Sequence, residues 1–192
     1  MPPKVKITKE DIIDAAVGIV RKDGVGAIGA RTLATALGCS TQPIFSNFTS
    51  MEELESKTLG AAYELYLDFI KSELDSGKYP PYKAFGMAYV RFAKDEKELF
   101  KLLFMRDRTD EDLSPKSDFE RSIDIIMNSN GVSYDTAKLM HLEMWATVHG
   151  IGVMLATSFL PLGEELISDM LTDVYQGIRA RHIAKENDNG SN

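Results

Sequence analysis

A single cysteine, Cys39, stands in 192 residues, which excludes an intrachain disulfide and an all-cysteine zinc site. Histidine is scarce as well, at three residues. His141 and Glu143, two apart, fall on opposite sides of a helix, and neither an H-E-x-x-H pattern nor a cysteine pair completes a metal site. A phosphate-binding glycine loop, a G-x-S-x-G serine and a histidine with a nucleophile beside it are all missing. No enzymatic chemistry and no cofactor are therefore expected. Strand-period alternation, internal repeats and low-complexity segments are absent too, which leaves an all-α fold.

Long apolar runs are equally lacking. Met1 to Lys6 has no apolar core of a secretory signal, and a lone cysteine suits a reducing compartment, so a cytoplasmic location is expected. The 20 residues between Glu143 and Glu164 carry no formal charge. Thr147, His149, Gly150, Gly152, Thr157, Ser158, Pro161 and Gly163 make that stretch too polar and broken for a membrane span, and a buried helix explains it better.

Basic charge is in deficit: the net charge is −7. Residues 1–60 are neutral, with seven bases (Lys4, Lys6, Lys9, Arg21, Lys22, Arg31, Lys57) against seven acids (Glu10, Asp11, Asp14, Asp23, Glu52, Glu53, Glu55). The whole deficit falls in residues 61–192. A neutral head on an acidic body permits nucleic-acid binding without arguing for it.

What is present is helical periodicity. Ile12, Ala16 and Ile19, with Ile13 and Val20, form an apolar stripe that Thr8 opens and Gly24 closes. Arg31 to Leu37 and Thr41 to Asn47 are two short helices on either side of Gly38, with Ser40 expected as N-cap. Pro43 is compatible with a first turn, whose N–H groups have no helical partner. Ser50-Met51-Glu52-Glu53 reads as a capping box opening a long fourth helix to about residue 75. Further helices fit 81–94, 96–106, 115–129, 134–159 and 163–184, about nine in all. The charged run Asp107 to Lys116 reads as a loop. In the last helix Ile167, Leu171, Val174 and Ile178 make a long stripe with no partner evident in the sequence.

The segment from Arg31 to Phe48 buries Leu33, Ala34, Leu37, Cys39, Ile44 and Phe48 across a tight turn, which pushes the second short helix outward. On physics alone this fits a DNA-reading helix-turn-helix and a plain helical hairpin alike. Ile12, Asp14-Ala15-Ala16, Asp23-Gly24, Leu33-Ala34, Leu37-Gly38-Cys39-Ser40, Ile44-Phe45, Phe48 and Ser50 to Leu54 stand at particular spacings, and that set resembles the DNA-binding domain of the tetracycline-repressor (TetR) family. Downstream, Tyr89 to Ala93, Leu99-Phe100 to Phe104 and Trp145 to Gly150 are similar to the C-terminal regulatory domain named after its Trp-His-Gly motif.

The resemblance implies a helix-turn-helix domain over 1–52, an effector-binding and dimerisation domain over 53–185, and a disordered polar tail over 186–192. It places Thr41, Gln42 and Pro43 at base edges of a double-stranded operator, with Phe45, Ser46 and Asn47 near the backbone. Gln42 is the best base reader by chemistry, since its amide can pair with adenine. Arg31, with Lys4, Lys6 and Lys9, would hold phosphates. Three departures weaken the expected affinity: Phe45 and Met51 stand where the family usually has Tyr and Lys, and no Lys or Arg occurs between Arg31 and Lys57.

A small apolar effector would meet Phe85, Tyr89, Phe92, Phe100, Leu103, Phe104, Met140, Met144, Trp145 and His149. The aromatic and methionine series, to which Met87 and Met154 also belong, suits a pocket lining and an irregular core alike, and His149 also fits a core histidine with a buried partner. The last two helices would pack on a second copy as a four-helix bundle. A helical ligand-binding or partner-binding dimer without DNA binding is the main rival reading, and a small helical enzyme the other.

Overall fold

Thr8 opens the first helix with reciprocal hydrogen bonds: the Asp11 N–H donates to its Oγ1 at 3.1 Å, and its own N–H donates to Asp11 Oδ2 at 2.8 Å. These satisfy two of the donors that a helix start leaves bare. The computed structural model describes residues 7–107, 109 and 117–190. Among them the regular structure is helical throughout, as the periodicity required. It comprises α1 (Lys9–Asp23), α2 (Ala30–Ala36), α3 (Gln42–Asn47), α4 (Met51–Ser76), α5 (Pro81–Asp95), α6 (Lys97–Phe104), α7 (Ser117–Asn130), α8 (Tyr134–Ala156) and α9 (Glu164–Gly190), plus a 3-10 turn at Val25–Ala27.

Two compact units divide the chain, Met1–Leu67 with Glu96–Asp107, and Asp68–Asp95 with Arg108–Asn192. In the first, Ile12 and Ala16 of α1 meet Leu33 and Ala34 of α2, Ile44 of α3, Phe48 and Leu54. Leu37, Cys39 and Met51 pack against this core from its edge. Gly38 makes the α2–α3 turn in the left-handed region at φ +63°, where a Cβ would be strained. Ser40 is not the N-cap of α3. Thr41 takes that place with φ and ψ already helical and no side-chain bond, so its hydroxyl is not aimed at the first amides.

The first unit extends past residue 52, through most of α4, and takes in α6. Leu99 and Phe100 of α6 are fully buried, and Arg21 Nε of α1 donates to Glu96 Oε2 at 2.7 Å. Phe104 stands edge-on to Tyr66 at 5.2 Å.

The second unit is built around α5, of which Phe85, Tyr89, Val90 and Phe92 are buried. A Cβ on Gly86 would lie 3.3 Å from Leu171 Cδ1 and 3.6 Å from Val148 Cγ2, so its absence lets side chains of α8 and α9 come this close to α5. A second core of Ile123, Ile126, Val132, Ala137 and Met140 joins α7 to α8, and Ile178 of α9 packs on it. Ile167 and Leu171 are buried as well. The α9 stripe expected to face a second copy is thus consumed within the chain.

Helix α8 stops at Ala156, short of the expected 159, where Ser158 turns into the left-handed region at φ +56°. Helix α9 continues to Gly190, beyond the expected end at 184, and Ser191 and Asn192 of the expected tail lie outside the described residues. Most of the expected charged loop, residues 108 and 110–116, also lies outside them. Among the described residues no helix is long and apolar enough to cross a membrane.

Ile12 has no exposed surface and belongs to the first core's cluster. Ile12→Ala is expected to cost about 2–5 kcal/mol in urea unfolding. A loss under about 1 kcal/mol, the range of a conservative change, would show that this core is not the one holding the unit.

Candidate functional site

Helix α3 turns Ile44 inward and, with it, Phe48, which follows its last turn. Its other face carries Gln42, Phe45 and Ser46 into solvent, with Thr41, Pro43 and Asn47 half-buried beside them. The six residues expected at base edges and near the backbone, Thr41 to Asn47 without Ile44, therefore lie along one short segment. Two of them are engaged: Ser46 Oγ donates to Gln42 O, and Asn47 Nδ2 donates to Pro43 O, both at 2.8 Å. Phe45 is 60% exposed, a large apolar ring on a polar face. Arg31 is exposed at the start of α2, and Lys4 and Lys6 lie outside the described residues.

Lys9 is committed elsewhere. Its Nζ lies 2.6 Å from Glu53 Oε1 and 4.6 Å from the centre of the Phe48 ring. Glu53 was expected to reach back to the Ser50 N–H. Its Oε2 accepts instead from the Thr49 N–H and Oγ1, both at 2.8 Å, while its own N–H donates to Ser50 Oγ. The Lys9 ammonium, with the Thr49 bonds, draws the Glu53 carboxyl down to about 2. This exposed pair ties the start of α1 to the start of α4.

The ten residues expected around an effector are divided between the units. Phe100, Leu103 and Phe104 belong to the first, where Phe100 and Phe104 stack at 5.2 Å. Phe85, Tyr89, Phe92, Met140, Met144, Trp145 and His149 belong to the second. Phe85, Phe92, Met140 and Met144 are buried. Phe92 stands edge-on to Phe69 at 5.3 Å, and Met140 sits in the α7–α8 core.

Tyr89 Oη and His149 Nδ1 share a hydrogen bond of 2.8 Å, and the Trp145 ring lies 6.0 Å from the imidazole. Burial lowers the His149 pKa from its ordinary 6.5 and raises that of the Tyr89 hydroxyl. His149 is thus a histidine with a buried partner, while His141 meets the half-buried Tyr82 at 3.0 Å and His182, itself buried, meets the half-buried Glu143 at 3.2 Å. Among the described residues no three His, Cys, Asp or Glu side chains are placed to hold a metal.

A cavity of about 240 Å³ lies in the second unit, and of the expected aromatic and methionine series only Met87 lines it. Met87 and Val90 of α5, Leu155 of α8, Leu162 ahead of α9 and Ile167 on α9 form its apolar walls, and Glu73, Arg91, Lys94, Asp95 and Glu164 its charged part. Sequence reading missed it because charges on an amphipathic helix look like an ordinary solvated face. The turn around Glu73, Lys71-Ser72-Glu73-Leu74-Asp75, is polar, so nothing local marks that glutamate as buried. No family model matches this chain, and no curated protein matches it.

The lowered His149 pKa has a definite sign for stability. Between the folded pKa and the ordinary 6.5, the unfolded chain binds more protons than the folded one, so stability rises with pH through that window and falls on acidification below 6.5. An NMR titration should place the His149 ring below 6.5; a midpoint at or above it contradicts the desolvation account.

Proposed function

We propose that the chain is a homodimeric, cytoplasmic DNA-binding transcriptional regulator of the TetR kind, a repressor released from a near-palindromic operator by a small effector. One observation carries this reading. The Gly38 turn and the Ile44–Phe48 anchor hold α3 against the first core while leaving Gln42, Phe45 and Ser46 outside, as a major-groove helix requires. Gln42 reads adenine through its amide, Thr41 and Pro43 lie beside it, and Arg31 contacts phosphate. Phe45 supplies apolar contact to thymine methyl groups, in place of the phosphate bond a tyrosine would make.

Dimerisation uses a face other than the α9 stripe. Leu139, Leu142 and Trp145, spaced i, i+3 and i+6 on α8, are exposed together with Leu166 on α9. This is the apolar surface that an isologous four-helix contact would bury. Such a dimer sets two recognition helices about 34–36 Å apart. An effector in the second unit acts through the chain's own continuity, because α4 runs through both units and α5 leads directly into α6. The ligand need favour one state by only about 1–3 kcal/mol.

A second reading, a helical ligand-binding dimer with no DNA target, draws on the lack of Lys or Arg between Arg31 and Lys57 and on the engagement of Lys9 by Glu53. Selection of DNA from a random-sequence pool, followed by fluorescence anisotropy at two salt concentrations, separates the two. Salt-sensitive binding is expected, with Gln42→Ala costing about 1–3 kcal/mol on the selected site and little on random DNA. Recovery of no enriched sequence at low salt would sink the DNA reading and leave the second.

Sedimentation velocity tests the assembly separately. The wild type is expected to run as a dimer and Leu142→Asp as a folded monomer. A monomeric wild type, or a variant that stays dimeric, would rule out this face.

A further inference from the structure

Deep in the cavity of the second unit stands a carboxylate. Glu73, near the end of α4, keeps only 7% of its side chain exposed. Arg91 Nη1 donates to its Oε1, and among the described residues nothing donates to its Oε2. A buried carboxylate is costly unless its charge is matched and its oxygens are bonded. Arg91 supplies part of that match from a side chain 55% exposed, so the partner can swing out to water while Glu73 cannot.

The remaining charges do not oppose a cation. Asp95 and Glu164 join Glu73 along the lining, against Arg91 and Lys94, and Lys78 balances Glu164 from outside the lining. Arg91 Nε already lies 4.0 Å from Asp95 Oδ2, which gives the guanidinium a second carboxylate to rest on if Glu73 takes another cation. Glu164 is held by Lys78 at 2.6 Å and is the less available acid. The whole excess of negative charge lies in residues 61–192, which draws cations toward this part of the chain.

We infer that this cavity binds a small amphipathic cation, an alkylammonium or arylalkylammonium. Its ammonium sits on Glu73 and its hydrocarbon lies against Met87, Val90, Leu155, Leu162 and Ile167. An anion of the same size meets a buried negative charge, and a neutral molecule without a donor shuts water out from Glu73 Oε2 without replacing the bond that water can make. A volume of about 240 Å³ is below the roughly 300–1,000 Å³ of sites for drug-sized molecules, so the hydrocarbon is short. Binding exchanges a carboxylate–guanidinium pair for a carboxylate–ammonium pair and involves no covalent step. The inference rests on the reading of the second unit as the ligand-binding part and names the class of ligand.

Calorimetric titration of the full chain with octylammonium, 1-octanol and octanoate varies the head group at constant chain length. Octylammonium is expected to bind about tenfold or more tighter than octanol, the worth of a charged hydrogen bond, and octanoate weakest of the three. Glu73→Gln should erase the preference for the amine and leave octanol unchanged. Arg91→Ala, at a mostly exposed side chain, should tighten octylammonium, because it removes the competing cation, and Leu162→Trp should fill the cavity and abolish all three. Circular dichroism establishes that each variant is folded; should Glu73→Gln fail to fold, the opposite effect of Arg91→Ala still decides. Octanoate binding as tightly as the amine, no binding of any of the three at millimolar concentration, or an amine affinity indifferent to the folded variants would overturn the inference. No DNA enters the measurement, so its failure and that of the operator reading are separate results.

Discussion

The seating of α6 on α1 governs how the chain is organised. Burial of Leu99 and Phe100, at about 1.5–3 kcal/mol for a large apolar side chain, fixes this short helix in the first unit, and the Arg21–Glu96 pair sets its start. Because α5 belongs to the second unit, the backbone must leave the first after Leu67, return at Glu96 and leave again after Asp107. The two units are therefore joined by three strands of chain, one of them the uninterrupted helix α4. Any change that displaces α5 pulls on α6 through a single intervening residue, Glu96, whose side chain is itself held by α1. A regulator built on this plan has a mechanical connection that a simple two-domain chain with one linker lacks.

Helix boundaries were legible in the residues because the signals for them are local. Thr8, Gly38, Pro81 and Ser133 act within a turn of their own position, and the elements they bound fall within a few residues of the expected limits. What a helix face packs against is settled by residues far away in the sequence, which periodicity along one helix does not carry. The stripe Ile167–Leu171–Ile178 looked free for a second copy, yet α5 and α7 supply its partners. Phe100, Leu103 and Phe104 looked like companions of Phe85 and Tyr89, yet they close the first unit. The face of α3 was recognisable, since burial of Ile44 and Phe48 leaves only one side for Gln42 and Phe45. The cavity was not, because its defining group is a glutamate on a helix that elsewhere wears its glutamates outside.

Charge is handled differently in the two units. In the first, Lys9 and Arg21 are neutralised by Glu53 and Glu96, so the surface around α3 offers polar and apolar groups more than positive ones. Such a surface is suited to short-range contacts through shape and hydrogen bonds more than to long-range attraction of anions. In the second, one carboxylate is kept deep behind a displaceable guanidinium. A charge that costs energy to bury is then a standing preference for whatever cation matches it better than the solvent-facing Arg91 does.

The interrupted course of the first unit also bears on synthesis. A ribosome releases α1 to α4 long before α6, and at about 5–20 residues per second the intervening segment takes several seconds to emerge. During that interval α1 has no Leu99 or Phe100 to cover its α6-facing side, so the unit stays incomplete until Asp107 is out of the tunnel. Vectorial folding of the N-terminal half is thereby withheld, and the nascent head becomes complete only once α5 has also been made. The first unit thus becomes complete at Asp107, while the second waits for α7 to α9 to follow.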